Sequence, residues 1–294
     1  MSNSAGVAPR PLIVEGSARF GGVSTRTLEV AGEGPTIVLF HGFSDSADTW
    51  RPVLAELARL GRRGIAVDLP GHGHADPAAL PFVANLDAFA DAVIREVADS
   101  SGVVLAGNSL GGLVSLRAGS RSGLPIRAVV GIGPAGFAYG WRLRVLAAVV
   151  PPLDPVLRVV DRTPVPDGVI RRGALRVHRR VIVPTREESE HARRYAGHFA
   201  GMRDVARFRG YLVALSRELP ADPIVPADLQ VPVALIWGLR DRLTLVRSAP
   251  KFMASAPQIT LEVLERSGHC PQLQEPARVA QSIANAPTRT LAIP

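Results

Sequence analysis

The sequence predicts an α/β protein: a mostly parallel sheet with helices on both faces and a helical segment inserted late in the sheet. Three observations carry this. Short apolar runs recur along the chain and alternate with stretches of helical spacing, the pattern of βαβ units. The alternation stops after Gly133-Pro134 and resumes at Val231, leaving residues 134–226 too long for a loop within a compact domain. Hydrophobic residues make up 47% of the 294, enough for a large core rather than a disordered chain.

Taken in order, residues 1–11 read as a loose leader, small and polar, with no apolar core of a signal peptide. Ser17 to Phe20 and Arg26 to Val30 read as an antiparallel pair turned through Gly21-Gly22. Thr36 to Phe40, Gly64 to Asp68, Val103 to Ala106, Ala128 to Ile132, Val233 to Trp237 and Thr260 to Leu264 are continuous apolar runs typical of buried parallel strands. That gives eight strands. Helical patterns fall at Thr49 to Leu60, Leu86 to Asp99, Leu110 to Arg121 and Ala277 to Ala284, with Asn85 placed to cap the second. Between 134 and 226, proline clusters at Pro151-Pro152-Leu153-Asp154-Pro155 and Thr163-Pro164-Val165-Pro166 interrupt an otherwise helical pattern. Helices are expected there over Asp167 to Val183, Arg186 to Phe199 and Met202 to Leu219. The chain therefore divides into a leader (1–11), a core (12–133 with 227–294) and an inserted helical cap (134–226).

Charge and cysteine content exclude several functions. The net charge of +8 suggests nucleic acid, but 33 of the 34 basic residues are arginine, a skew that accompanies the abundant Ala, Gly and Pro. Residues 134–226 hold 16 arginines against 9 acidic residues, so the excess sits in the cap. No aromatic residues interleave with these arginines as a single-strand binder needs, and no nucleic-acid role is expected. A basic cap would instead attract anionic substrates or a membrane surface weakly, unless it is simply a solvated face. A single cysteine, Cys270, excludes an internal disulfide and, with the leader, fits a cytoplasmic protein. No apolar run is long enough to span a bilayer, and no spacing of Cys and His indicates a metal.

The chemistry centres on Gly107-Asn108-Ser109-Leu110-Gly111, a G-x-S-x-G pentapeptide between an apolar strand and a helix. On such a turn the serine hydroxyl projects over the sheet edge, and side chains at 107 and 111 would collide with their neighbours. A serine before a helix also reads as a plain N-cap, so partners are needed. His269 follows the last strand and Asp241 the strand before it. Open α/β sheets place their sites at those carboxyl ends. Each also has a plain reading, Asp241 as a turn residue between Arg240 and Arg242, His269 as a half-buried loop histidine. Asp222 and Asp228 are rival acids, but they precede the Val233 strand.

Together, the pentapeptide, the order Ser…Asp…His, the His41-Gly42-Phe43 turn and Asp68-Leu69-Pro70-Gly71-His72-Gly73 resemble the α/β-hydrolase superfamily. The resemblance covers the whole chain beyond the leader, and the cap only by position and length. It implies Ser109 as nucleophile, His269 as base and Asp241 as its orienter. The oxyanion hole would be the backbone N–H groups of Phe43 and Leu110, with His41, Gly42, Gly107 and Gly111 in support. His72 and His74 are expected to be structural, Cys270 a small buried residue, and no cofactor is implied.

The resemblance implies hydrolysis of a carboxylic ester with an apolar acyl group through a seryl acyl-enzyme. A carbon–carbon bond hydrolase of a vinylogous diketone acid is the alternative, since members of that branch carry the same Gly-Asn-Ser-x-Gly-Gly elbow. They also have a glycine-richer oxyanion loop and a Trp after the catalytic His, where this chain has Cys270-Pro271. Haloalkane dehalogenases and epoxide hydrolases use Asp in place of Ser109. A receptor-like member with little turnover stays open, because fold does not fix function.

Overall fold

The computed structural model describes residues 12–137, 141–183, 189–256 and 258–288. The leader, residues 1–11, lies outside them, as do residues 184–188 at the start of one expected helix. Strands β1 (Val14–Phe20) and β2 (Val23–Val30) form the expected hairpin, with Gly21 and Gly22 at positive φ in its turn. β3 (Glu33–Phe40), a 3-10 turn (Ala47–Trp50), α1 (Arg51–Arg59), β4 (Arg62–Val67), α2 (Phe82–Val97), β5 (Val103–Asn108), α3 (Leu110–Gly119) and β6 (Ile126–Ile132) follow. Next come α4 (Trp141–Val160), α5 (Asp167–Val177), a π turn (His178–Ile182), α6 (Glu190–Gly197) and α7 (Met202–Ala221). The sheet resumes with β7 (Val233–Gly238), α8 (Ala249–Ala254), β8 (Ile259–Leu264), α9 (Pro271–Gln274) and α10 (Pro276–Ala284).

The eight strands form one sheet in the order β1-β2-β4-β3-β5-β6-β7-β8. β2 runs antiparallel to β1 and β4, and every other pair is parallel. Strand alternation sends Ile37 and Leu39 to one face, against Leu54 and Leu57 of α1 and Val279 and Ile283 of α10. Val38 and Phe40 face the other way, against Leu86 and Phe89 of α2 and Leu113 and Leu116 of α3. With both faces covered, β5 is buried throughout, which is why it reads as an unbroken apolar run. After β3 the chain pairs β4 on one side and then β5 on the other. That reversal of direction opens a crevice at the carboxyl ends of β3 and β5, where such sheets bind ligands.

Two expectations need correction. Asn85 does not cap α2: the helix starts at Phe82, with Pro81 in the cap position, and Asn85 Oδ1 accepts the Ala79 N–H at 3.0 Å. The free N–H groups of the first turn go to Glu218 of α7, whose carboxylate accepts from Phe82 at 2.9 Å and Val83 at 2.7 Å. A negative charge at a helix N-terminus meets both the unpaired donors and the helix dipole. Glu218→Ala is therefore expected to lower stability by about 1–3 kcal/mol in urea unfolding, with partial rescue by Gln; an unchanged midpoint would refute the cap.

The second concerns the expected irregularity at the first proline cluster: Pro151, Pro152 and Pro155 lie inside one continuous helix, α4. Asp154 on the inner side of α4 is buried and accepts from Arg209 of α7 and from Arg158, both at 2.8 Å. Arg209 also reaches Asp161 at 2.5 Å. These ion pairs to a neighbouring helix supply tertiary support that proline-based reading of an isolated helix omits.

Candidate active site

Ser109 sits between β5 and α3 with φ 53° and ψ −109°, a backbone conformation sparsely populated for residues other than glycine. The glycines beside it have a direct steric cause. A Cβ on Gly107 would lie 2.1 Å from the Gly111 carbonyl oxygen, and one on Gly111 only 2.0 Å from that of Phe40. Both obstacles are backbone and cannot turn aside. Gly111→Ala is expected to cost about 3 kcal/mol or more, read as lost soluble yield and a lower Tm. Gly173→Ala, with nothing within 4 Å of its Cβ, should leave Tm level or raised. Equal melting of the two variants would contradict this packing.

Asp241, after β7, and His269, after β8, come together: His269 Nδ1 lies 2.8 Å from Asp241 Oδ2. The Asp241 side chain is 1% exposed. Its Oδ1 accepts the N–H groups of Leu243 at 2.8 Å and Thr244 at 3.1 Å, and Oδ2 also accepts the Thr244 hydroxyl at 2.8 Å. A carboxylate so surrounded by donors is fixed in orientation and acts as the acceptor for Nδ1–H. That assignment leaves Nε2 of His269 unprotonated and free to accept a proton. The rival acids are elsewhere. Asp222 pairs with Arg117 at 2.6 Å, and Asp228 is exposed on a 3-10 turn.

Asn108, the unassigned residue of the pentapeptide, ties three strand ends together. Its Nδ2 donates to the carbonyls of Ile132 at 3.1 Å and His269 at 2.9 Å. Thus the loop carrying the histidine is anchored to the residue preceding the serine. Gly42 packs on the same place, since a Cβ there would be 3.2 Å from Asn108 Oδ1 and 3.6 Å from Ser109 Cβ. Among the described residues, neither the Phe43 N–H nor the Leu110 N–H has a hydrogen-bond partner, and both residues line the cavity that holds Ser109 and His269. Leu110 opens α3, so its N–H belongs to the unpaired first turn of that helix.

His41 lies away from this chemistry. It is fully buried, its Nε2 accepts the Leu69 N–H at 2.9 Å, and its Nδ1 donates to the Gly42 carbonyl at 2.8 Å. Burial lowers its pKa, keeping a neutral ring that ties the β3 and β4 loops. His72 is likewise pushed down to about 3 by burial and stacks against Tyr211. Among the described residues no group of side chains could hold a metal, and His72 with His74 forms none. Cys270 is buried, and burial holds its thiol pKa well above the ordinary value, so it is a poor nucleophile.

The cavity encloses about 510 Å³, within the range of small-molecule sites. Its outer wall comes from the segment between β6 and β7: Val177, Val181, Ile182, Tyr195, Leu212 and Leu215 are among its lining. Among the described residues no arginine or lysine lines it. Helix α6 docks beside the Phe43 turn. Tyr195 and Ser44 hydroxyls are 3.1 Å apart, Arg194 reaches Asp48 at 3.2 Å, and His191 Nε2 lies 3.4 Å from Asp45. Ser44, at φ 57°, follows Phe43 directly. Thr244, Ser44 and Tyr195 carry no motif, whereas Asn108 had a visible signal in its place inside the pentapeptide.

A reversed parallel sheet with a serine on a strained strand-to-helix turn defines an α/β hydrolase. The alpha/beta hydrolase family model matches residues 37–282, and the chain belongs to that family. Its relatives include an uncharacterised protein of Mycobacterium tuberculosis, 28% identical over 276 residues that cover 86% of this chain and 75% of that one. A pimeloyl-[acyl-carrier protein] methyl ester esterase of Shewanella woodyi is 34% identical over 109 residues, 37% of this chain and 40% of that enzyme. Two solved structures share the fold at low identity. The 2-hydroxy-6-oxo-6-phenylhexa-2,4-dienoate hydrolase of Rhodococcus sp. strain RHA1 has TM-score 0.73 and 20% identity, with 93% of this chain and 98% of that one covered. A carboxylesterase of Bacillus subtilis has TM-score 0.68 and 21% identity, with 95% and 92% covered.

Proposed function

We propose that this protein is a serine hydrolase that cleaves carboxylic esters with an apolar acyl group, using Ser109, His269 and Asp241. The observation that carries the reading is the 2.8 Å hydrogen bond between Asp241 and His269, which lines the same cavity as Ser109. Ser109 Oγ attacks the ester carbonyl carbon while His269 Nε2 takes its proton. Asp241 holds the ring in that tautomer and stabilises the imidazolium. The carbonyl oxygen, now negative, accepts from the Phe43 and Leu110 N–H groups. Collapse breaks the carbon–oxygen bond, and His269 returns the proton to the departing alcohol. Water then attacks the acyl-serine with the same base and releases the acid. The helical segment 134–226 acts as a cap that selects the acyl group.

The lining favours an ester over a vinylogous diketone acid. A carboxylate drawn into a cavity whose described lining holds no arginine or lysine would lose its hydration uncompensated, so an uncharged ester is the better substrate. A panel of p-nitrophenyl esters graded by acyl length tests this. Turnover that rises with acyl length and is lost in Ser109→Ala is expected. Cleavage of a vinylogous diketone acid in preference to every ester would overturn the substrate class, and no turnover of either would favour a binding member.

A further inference from the structure

Helix α4 shows its apolar side to solvent. Val145 is 53% exposed, Val149 45%, Leu153 45%, Val156 62% and Val159 65%. Their spacing of four, four, three and three residues puts all five on one face of an α-helix. The opposite side carries buried Asp154, paired with Arg209 of α7. Asp154 thus anchors the helix to α7, and a continuous apolar stripe of α4 is left outside, which is unusual for a surface helix. At 1.5 Å per residue the stripe runs for roughly 20 Å.

Exposed cations flank it. Arg144 and Arg158 are exposed on the same helix, the latter 73%. Helix α5 and the π turn present exposed Arg172, Arg176 and Arg180 with Val169 and Val177, and Val177 also lines the catalytic cavity. The cavity wall thus reaches the surface among apolar and cationic side chains. An exposed apolar stripe flanked by cations is the geometry of a helix lying in a surface; no helix among the described residues is long and apolar enough to cross a membrane.

We infer that α4 is a peripheral docking face for an anionic lipid surface, its valines and leucine entering the headgroup boundary and the arginines meeting lipid phosphates. Charge selects this occupant. A second copy of the chain would bring the same arginine-rich segment against itself, and a net charge of +8 repels its like. The five described positions of the stripe are aliphatic and are not the large aromatic anchors that concentrate binding energy in protein interfaces. Such a face suits acyl chains, which need no shape match. An ester-bearing lipid held there would be delivered beside the cavity, a consequence that rests on the proposed activity; the docking itself does not.

Co-sedimentation with vesicles tests the docking. Full-length protein should bind vesicles of phosphatidylglycerol and phosphatidylcholine (1:1) at low salt, and bind at least tenfold less to pure phosphatidylcholine or at 0.5 M NaCl. A Val149→Glu/Val156→Glu variant should bind at least tenfold less while keeping its melting temperature and its turnover of a small soluble ester. Wild-type protein that ignores anionic vesicles, or a variant that binds them as well as wild type, would overturn the inference. So would light scattering that shows a dimer dispersed by the same two substitutions. If vesicles bind but no ester is hydrolysed, the docking stands and the esterase reading fails.

Discussion

Ser109→Ala is expected to lower kcat for a p-nitrophenyl ester by roughly 10⁴- to 10⁶-fold, the loss that follows removal of an acyl-transfer nucleophile. The structure explains why folding should survive. Ser109 Oγ makes no hydrogen bond among the described residues, and Gly107 and Gly111, not the serine side chain, admit the turn. Alanine inherits the same positive φ, so the backbone strain is unchanged. Melting temperature should therefore stay close to that of the wild type while turnover disappears. What remains above the uncatalysed rate would come from the Phe43 and Leu110 donors and from binding. A variant retaining more than a tenth of wild-type kcat would remove Ser109 from the mechanism.

Asp241→Asn should cost on the order of 10³- to 10⁴-fold in kcat with little change in size or shape. The reason lies in the donors around the carboxylate. Oδ1 accepts two backbone N–H groups, from Leu243 and Thr244, and these hold the amide oxygen on that side. The amide NH₂ must then face His269 Nδ1 and can only donate to it. Nδ1 becomes the acceptor, the ring proton moves to Nε2, and the nitrogen facing the cavity no longer serves as a base. Stopped-flow or steady-state hydrolysis at neutral pH reads this loss directly. If Asp241→Asn turned over within tenfold of wild type, Asp241 would be a structural anchor and not the orienter of His269.

Both predictions involve residues that sequence alone brought forward, and for the same physical reason. Strand ends in a parallel sheet lie on one edge, so residues after β5, β7 and β8 meet whatever their separation in the chain. The glycine pair was legible because its collisions are with backbone one turn or one strand away. Glu218 was not legible as a helix cap, since it stands 136 residues from the Phe82 N–H that it accepts. Its part in α2 depends on how α7 lies across the sheet. The same holds for Tyr195, which meets Ser44 across 151 residues. Thr244 sits only three residues beyond Asp241, yet its hydroxyl needs the turn geometry before it points at the carboxylate. In α4 the prolines favoured a break, and the ion pairs of Asp154 and Asp161 to Arg209 reside on another helix. Local rules therefore brought forward the candidate site residues and missed what holds the outer helices against them.

The arginine excess shows the same division. Counting placed the positive charge in residues 134–226, but not the direction in which it faces. In the structure the described cavity wall from that segment is mainly aliphatic, with Tyr195 and Ser216, and no described arginine lines it. Attraction of anions into the cavity is thereby disfavoured, and the arginines are left to act at the outer surface.

Labelling of the folded wild-type protein with a fluorophosphonate probe tests the account most directly. The probe transfers its phosphonyl group to an activated serine and stays bound. The expected result is one adduct, mapped by mass spectrometry to the peptide containing Ser109, absent in Ser109→Ala and markedly slower in Asp241→Asn. A folded wild-type protein that leaves Ser109 unlabelled, or carries its adduct on another residue, would contradict the assignment of Ser109 as nucleophile.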